Sequence, residues 1–293
     1  MTQSQRSQTE SEFLKSYDAS QYPRPSLTVD MVIFTVLDRP QRNDRKLPEK
    51  DLCVLLIQRG DHPFKDHWAL PGGFVQPTET LDQAAERELV EETGVENVSM
   101  EQLYTWGDPG RDPRTWIVSC SYMALIDASR IRLAAGDDAA CAEWFRVTKK
   151  LRKEKRTLKL GGSILKQKYS LLLSSDELAT EAQLEKTVTK HGQGRTEYAR
   201  IVAPGELAFD HARIIGYAVD QLRNKIKHTD LAFNLMPEFF TLTQLQQVYE
   251  TILGYEMLKA NFRRKIENKV VETNRFTEGD GHRPTRLFKR KQD

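Results

Sequence analysis

The stretch Gly73–Val95, GFVQPTETLDQAAERELVEETGV, decides how this chain reads. Leu81, Ala84, Ala85 and Leu89 recur at helical spacing and Gly94 follows as a stop, so Thr80–Thr93 is predicted to be an amphipathic helix. On that helix Glu88, Glu91 and Glu92 stand at i, i+3 and i+4 and share one face. Three carboxylates so close repel one another unless a cation neutralises them. Hard oxygen donors suit Mg2+ or Mn2+, which can bridge pyrophosphate oxygens. Arg87 offers a rigid fork that can hold a carboxylate, and Gly72 and Gly73 permit close backbone approach where the loop meets the helix.

Outward from this helix the chain reads as strands. Leu27–Val36 alternates and is rich in β-branched residues, Leu52–Gln58 is a continuous apolar run, and Trp116–Ile126 and Ala142–Val147 follow as two more strands. Asp38–Asp51, charged and carrying Pro40 and Pro48, reads as a loop.

Gly73, five residues, Glu79, seven residues and then Arg87-Glu88-Leu89-Val90-Glu91-Glu92-Thr93-Gly94-Val95 fill every defining position of the Nudix box. The first domain therefore resembles the Nudix hydrolase superfamily. That resemblance implies an α/β fold, a Nudix α/β/α sandwich over residues 23–148 that binds a nucleoside diphosphate derivative. It implies metal held by Glu88, Glu91 and Glu92 with the Gly73 carbonyl, and support from Glu79. Glu91, Glu92 and Arg87 are the candidate catalytic residues. A general base outside the box has three candidates, Asp137, Asp138 and Glu143, among which the sequence does not choose. The loop Gly107-Asp108-Pro109-Gly110-Arg111-Asp112-Pro113-Arg114 is stiffened by two prolines. Its Arg111 and Arg114 are expected, with Glu79, to bind the ligand through phosphate or ribose.

From Lys149 the composition changes. Lys149–Lys159 is a charge run, read as a solvated surface segment. Tyr169–Leu173, Leu184–Thr189 and Tyr198–Val202 are short β-like pieces, so 149–204 reads as a β-rich insertion or linker. Pro204-Gly205 punctuates the chain, and 205–293 then reads as three helices and a hairpin. Those helices are expected over Glu206–His228, from Thr241 to Gly254 and over Leu258–Asn268. Val270-Val271 and Thr285–Phe288 follow as strands joined through Thr277–Gly281. This is the order of a winged helix-turn-helix. Met257–Asp293 holds eleven Lys or Arg against five Asp or Glu, the footprint of phosphate-backbone binding. Asn261, Arg263, Arg264 and Lys265 are expected to face a major groove, with Arg283, Arg286, Lys289 and Arg290 on the wing. Phe262, Ile266 and Phe288 are assigned to the core.

Four segments, Leu207–His211, Leu231–Pro237, Phe240–Glu250 and Asn261–Lys265, resemble the C-terminal domain of the NrtR family, the Nudix-related transcriptional regulators of NAD metabolism. The resemblance implies a homodimeric repressor of NAD-metabolism genes. It would bind a palindromic double-stranded operator and sense ADP-ribose or a related nucleotide. Some Nudix-related regulators serve sugar metabolism instead, and many carry an eroded box. Here the three glutamates are intact, so an Mg-dependent pyrophosphatase acting on ADP-ribose is the alternative.

Composition bounds these readings. The chain has 293 residues, 39% hydrophobic and 29% charged, with a formal net charge of +2, so partners follow from where charge sits rather than from its sum. Cys53, Cys120 and Cys141 are scattered and odd in number, which argues for reduced thiols rather than a disulfide or metal framework. No apolar run reaches membrane-spanning length. Residues 1–22 read as a disordered polar leader, and a cytoplasmic location with no membrane association is expected.

Overall fold

The computed structural model describes residues 9–39, 48–131, 142–277 and 284–291. Within the segment read as disordered, α1 (Glu10–Ser16) forms because Thr9 and Glu12 close a reciprocal capping box. Its seven residues bury nothing.

β1 (Ser26–Asp38) runs antiparallel to β2 (Lys50–Gln58). Short β3 (Trp68–Ala69) and β4 (Gly72–Phe74) pair with β2 and β1, and the chain then enters α2 (Leu81–Thr93). Thr80 caps α2 in a box with Gln83, and Gly94 closes it in the left-handed region at φ 66°. β5 (Met100–Trp106) and β6 (Ile117–Leu125) follow, β6 parallel to β1, so β1 lies between two neighbours and is buried on both faces.

The largest departure from the sequence reading comes next. β7 (Ala142–Lys159) is one strand of 18 residues, and the charge run is its outer half. β8 (Gly162–Ser174), β9 (Ala179–His191) and β10 (Gly194–Ala203) extend the same sheet in the order β10-β9-β8-β7-β2-β1-β6-β5. The 149–204 segment thus continues the Nudix sheet without a break. A strand solvated on both faces needs no apolar alternation, so periodicity alone gave no signal there.

The C-terminal helix read over Glu206–His228 is shorter, α3 (His211–Lys225). Its first residues are drawn off: Trp68 N–H donates to the Glu206 carbonyl, Ala208 N–H donates to the Trp68 carbonyl, and Phe209 turns through φ 51°. α4 (Leu242–Leu253) begins at a Thr241–Gln244 capping box and ends at Gly254. α5 (Lys259–Ile266) and the hairpin β11 (Val270–Phe276) with β12 (Arg286–Arg290) complete a winged helix, and Phe240 bridges to Phe288 as a third rung.

Two apolar clusters flank the sheet. α2 packs Ala84, Ala85 and Leu89 with Val29, Met31, Ile33 and Leu55. The other cluster joins Val54, Phe145 and Leu171 of the sheet to Ile215, Leu222, Tyr249 and Phe262 of the winged helix. The C-terminal helices therefore supply the layer opposite α2. Cys53 and Cys120 are buried free thiols, and Cys141 lies outside the described residues. Among the described residues no helix is long and apolar enough to cross a membrane.

Candidate functional site

α2 presents its carboxylates on one face but to different depths: Glu88 is buried, Glu92 half-buried and Glu91 exposed. Arg87 sits among them. Its Nε and Nη2 donate to the two oxygens of Glu79 at 3.2 and 2.9 Å. Its Nη1 donates to Glu88 Oε1 at 2.7 Å and Glu91 Oε2 at 3.3 Å, and Nη2 also reaches the Phe74 carbonyl at 3.2 Å. Glu79 accepts further from the Gln76 N–H at 2.9 Å. The Glu88 carboxylate lies directly on Gly73, so a Cβ there would displace that carboxylate from its present position.

Burial pushes the Glu88 carboxyl above the usual carboxylate range, with Arg87 opposing. Burial also pushes Glu92 up, reinforced by Glu88 and Glu91. The hydrogen bond from Arg87 holds Glu79 down. Among the described residues no three His, Cys, Asp or Glu side chains converge into a preformed metal centre. The donor chemistry nevertheless suits a hard cation: two carboxylates raised by burial and mutual repulsion are what a divalent ion would relieve. Glu143 lies on β7 opposite Leu56, and Asp137 and Asp138 fall outside the described residues.

The structure corrects the expectation for Arg111. Its guanidinium is buried and grips both oxygens of Asp210 at 3.1 and 2.7 Å, with Asp30 Oδ2 at 3.4 Å. Its charge is consumed internally. Asp210 immediately precedes α3, so this pair ties the loop after β5 to the C-terminal helices. Arg213 extends the network to Asp108 and, at 3.5 Å, to Asp210. His211 Nδ1 accepts the Leu70 N–H at 2.8 Å, and its Nε2 lies 3.6 Å from Asp30 Oδ1. Sequence reading missed Asp30, Asp210, His211 and Arg213. An acid in the middle of an apolar strand, Val29-Asp30-Met31, was the available signal.

Arg114 remains accessible. It is aligned by Asp112 at 3.0 and 2.7 Å and lies over the rings of Phe74 and Phe209 at 5.5 and 5.6 Å. Arg59 covers Phe209 at 4.9 Å, and Phe64 meets the same ring edge-on at 4.8 Å. Two guanidiniums thus gather around one aromatic beside β4.

On the winged helix, Asn261, Arg263 and Arg264 are exposed along α5, while Phe262 and Ile266 are buried. Arg263, Arg264 and Arg286 line one cleft between α5 and the hairpin. Arg286 is also paired with Glu272 at 2.5 Å. Lys289 is exposed, and Arg283 lies outside the described residues. Lys265 departs from its expected outward placement. Its Nζ turns back to the Ile226 and Lys227 carbonyls at 3.3 and 3.2 Å, over the Tyr249 ring.

Comparison with known proteins follows the same division. Residues 30–160 match the NUDIX domain, and residues 232–289 match the NrtR DNA-binding winged helix domain. Over 284 residues the chain is 34% identical to an ADPR responsive transcriptional repressor of Acinetobacter baylyi, spanning 96% of this chain and 88% of that protein. The chain belongs to the NrtR family. Shewanella oneidensis NrtR in complex with a 27mer DNA superposes with a TM-score of 0.58 at 28% identity, over 90% of this chain and 93% of that one. A MutT/nudix family protein from Enterococcus faecalis superposes with a TM-score of 0.64 at 29% identity, over 97% and 94%. Within the NrtR family, then, this member keeps the full set of box glutamates.

Proposed function

We propose that this NrtR-family chain is a cytoplasmic, homodimeric DNA-binding repressor of NAD-metabolism genes whose Nudix unit senses ADP-ribose or a close relative. The observation that carries the reading is the ionic seam Asp30–Arg111–Asp210–Arg213–Asp108, buried except at Asp108, which joins the Nudix sheet to the first helix of the winged-helix unit. A nucleotide that shifts the loop after β5 acts on groups that also fix α3. Asn261, Arg263 and Arg264 would read bases, and Arg286 and Lys289 would hold phosphates.

Glu88, Glu91, Glu92 and the Gly73 carbonyl would hold Mg2+ or Mn2+, which when bound supplies positive charge to the pyrophosphate. Arg87 keeps Glu79 and Glu88 aligned. Arg114 offers its guanidinium to the ligand beside Phe74 and Phe209. The test is a gel shift on the DNA upstream of the chain's own operon, with and without ADP-ribose and Mg2+. A retarded band that ADP-ribose releases supports the reading, and DNA affinity indifferent to ADP-ribose with metal present defeats it.

The complete glutamate face favours a second activity, hydrolysis of ADP-ribose to AMP and ribose 5-phosphate. AMP release that disappears in the Glu91→Gln, Glu92→Gln double variant would support it, and wild-type inertness would leave the box as a binding device.

A further inference from the structure

A cavity of about 360 Å³ lies where β5, the extended strands β7–β10 and α3 meet, and neither the glutamate face nor the basic helix uses it. We propose that this cavity is a second small-molecule site, taking an uncharged planar heteroaromatic group such as a nucleobase or a pyridine carboxamide.

Aromatic walls favour a flat ring. Tyr104, Trp106 and Tyr217 form a triad with ring centroids 4.8, 5.6 and 5.6 Å apart, at interplanar angles of 60, 55 and 88°. Tyr169 and Tyr198 also line the space. Offset and edge-on rings of this kind accept a further aromatic partner.

Charge argues against a phosphate or a simple cation. Every ionic group in the wall is matched there: Lys149 with Asp220, Lys186 with Glu197, and Arg213 with Asp108. Lys149 is fixed further by the Gly216 carbonyl at 2.9 Å and covers Tyr169 at 4.6 Å. An ionic ligand would have to break one of these pairs, whereas a neutral heterocycle need not. Polar recognition is available from Gln221 and the tyrosine hydroxyls. One donor is unmatched: Arg213 Nε is buried with no acceptor among the described residues, and Arg213 lies over the Trp106 ring at 4.7 Å. That Nε atom is closed to solvent, so polar recognition in the cavity rests on Gln221 and the tyrosine hydroxyls.

The position matters as much as the chemistry. Asp108 and Arg213 belong both to this wall and to the seam that anchors α3, so an occupant touches the junction between sheet and winged helix. The proposal does not require the glutamate face to bind anything.

Full-length protein is titrated with adenosine and with nicotinamide, followed by calorimetry and tryptophan fluorescence, with inorganic pyrophosphate and choline as ionic controls. Saturable binding of either heterocycle is expected, unchanged in the Glu91→Gln, Glu92→Gln double variant. Ala199→Trp, on the outermost strand, fills the cavity and should abolish binding. Tyr104→Ala, at an exposed position, should weaken it about fivefold without threatening the fold. Binding of only the ionic controls, binding of neither heterocycle, or binding lost with the two glutamates yet intact in both cavity variants would overturn the assignment. Because the glutamate variants and the cavity variants are scored separately, failure here is distinct from failure of the nucleotide-sensing reading.

Discussion

Arg87 donates to Glu79, Glu88 and Glu91 at once, and that one guanidinium offsets repulsion among the three carboxylates. Glu92 has no share in it and carries the cost of its own half-burial. Its carboxyl is raised by burial and by Glu88 and Glu91, so its ionisation costs more in the folded chain than in the unfolded one. Glu92→Gln should therefore stabilise the metal-free protein, raising Tm by about 2 °C in a thermal scan with chelator, while removing any stabilisation by added Mg2+. A lower Tm for the chelated variant would refute this.

His211 gives the opposite kind of dependence. Burial holds it below the usual histidine range, against the pull of Asp30 and Asp210, while Arg111 and Arg59 reinforce the depression. The unfolded chain then takes up a proton that the folded one refuses. This stability is present above about pH 6.5 and is lost as pH falls below it. In His211→Asn, which keeps an acceptor for the Leu70 N–H, the gap between Tm at pH 8 and at pH 5.5 should narrow; an unchanged gap would clear His211 of the effect. At this scale the glutamate face was legible, because i, i+3 and i+4 spacing is local. The role of Arg111 was not, since its partners lie 81 and 99 residues away in sequence.

Among the elements, α5 exposes Asn261, Arg263 and Arg264, the residues proposed to read bases, and buries Phe262 and Ile266. Arg263→Ala and Arg264→Ala should each cost about 1–3 kcal/mol of specific DNA binding by fluorescence anisotropy. Lys265→Ala should leave specific affinity nearly intact and lower Tm instead, because its ammonium holds the end of α3 rather than a base. Loss of DNA affinity by Lys265→Ala with normal Tm would reverse that division. Helix α4 was legible almost to the residue from Thr241 and Gly254. The start of α3 was misread because Glu206–Ala208 pairs with β3, a two-residue strand with no sequence signature of its own. The β7 charge run read only as a solvated surface segment because its outer half buries neither face, so hydrophobic period was silent where hydrogen-bond register was in force.

Across the whole molecule, the seam around Asp210 holds two buried guanidiniums in place. Asp210→Asn would leave Arg111 and Arg213 short of a charged acceptor. We expect a loss of about 3 kcal/mol in urea unfolding and, in the surviving folded protein, weaker coupling between ADP-ribose and DNA. Unchanged stability and unchanged coupling together would strip the seam of its role. The two-unit architecture was legible from the box and the winged-helix order. The sharing of one apolar cluster by both units was not, because each amphipathic face names its period but never its partner.

That shared cluster also has a consequence for how the protein is made. Synthesis runs from the N-terminus, so the sheet emerges long before α3, α4 and α5 arrive to cover its second face. Val54, Phe145, Leu171 and Leu173 then wait uncovered while the remaining third of the chain is translated. At about 5–20 residues per second that interval lasts several seconds, long enough for a chaperone to engage the nascent chain. Ribosome-stalled chains ending near Ala203 should bind holdase chaperones and be cut rapidly by protease, whereas chains tethered beyond Arg290 should resist.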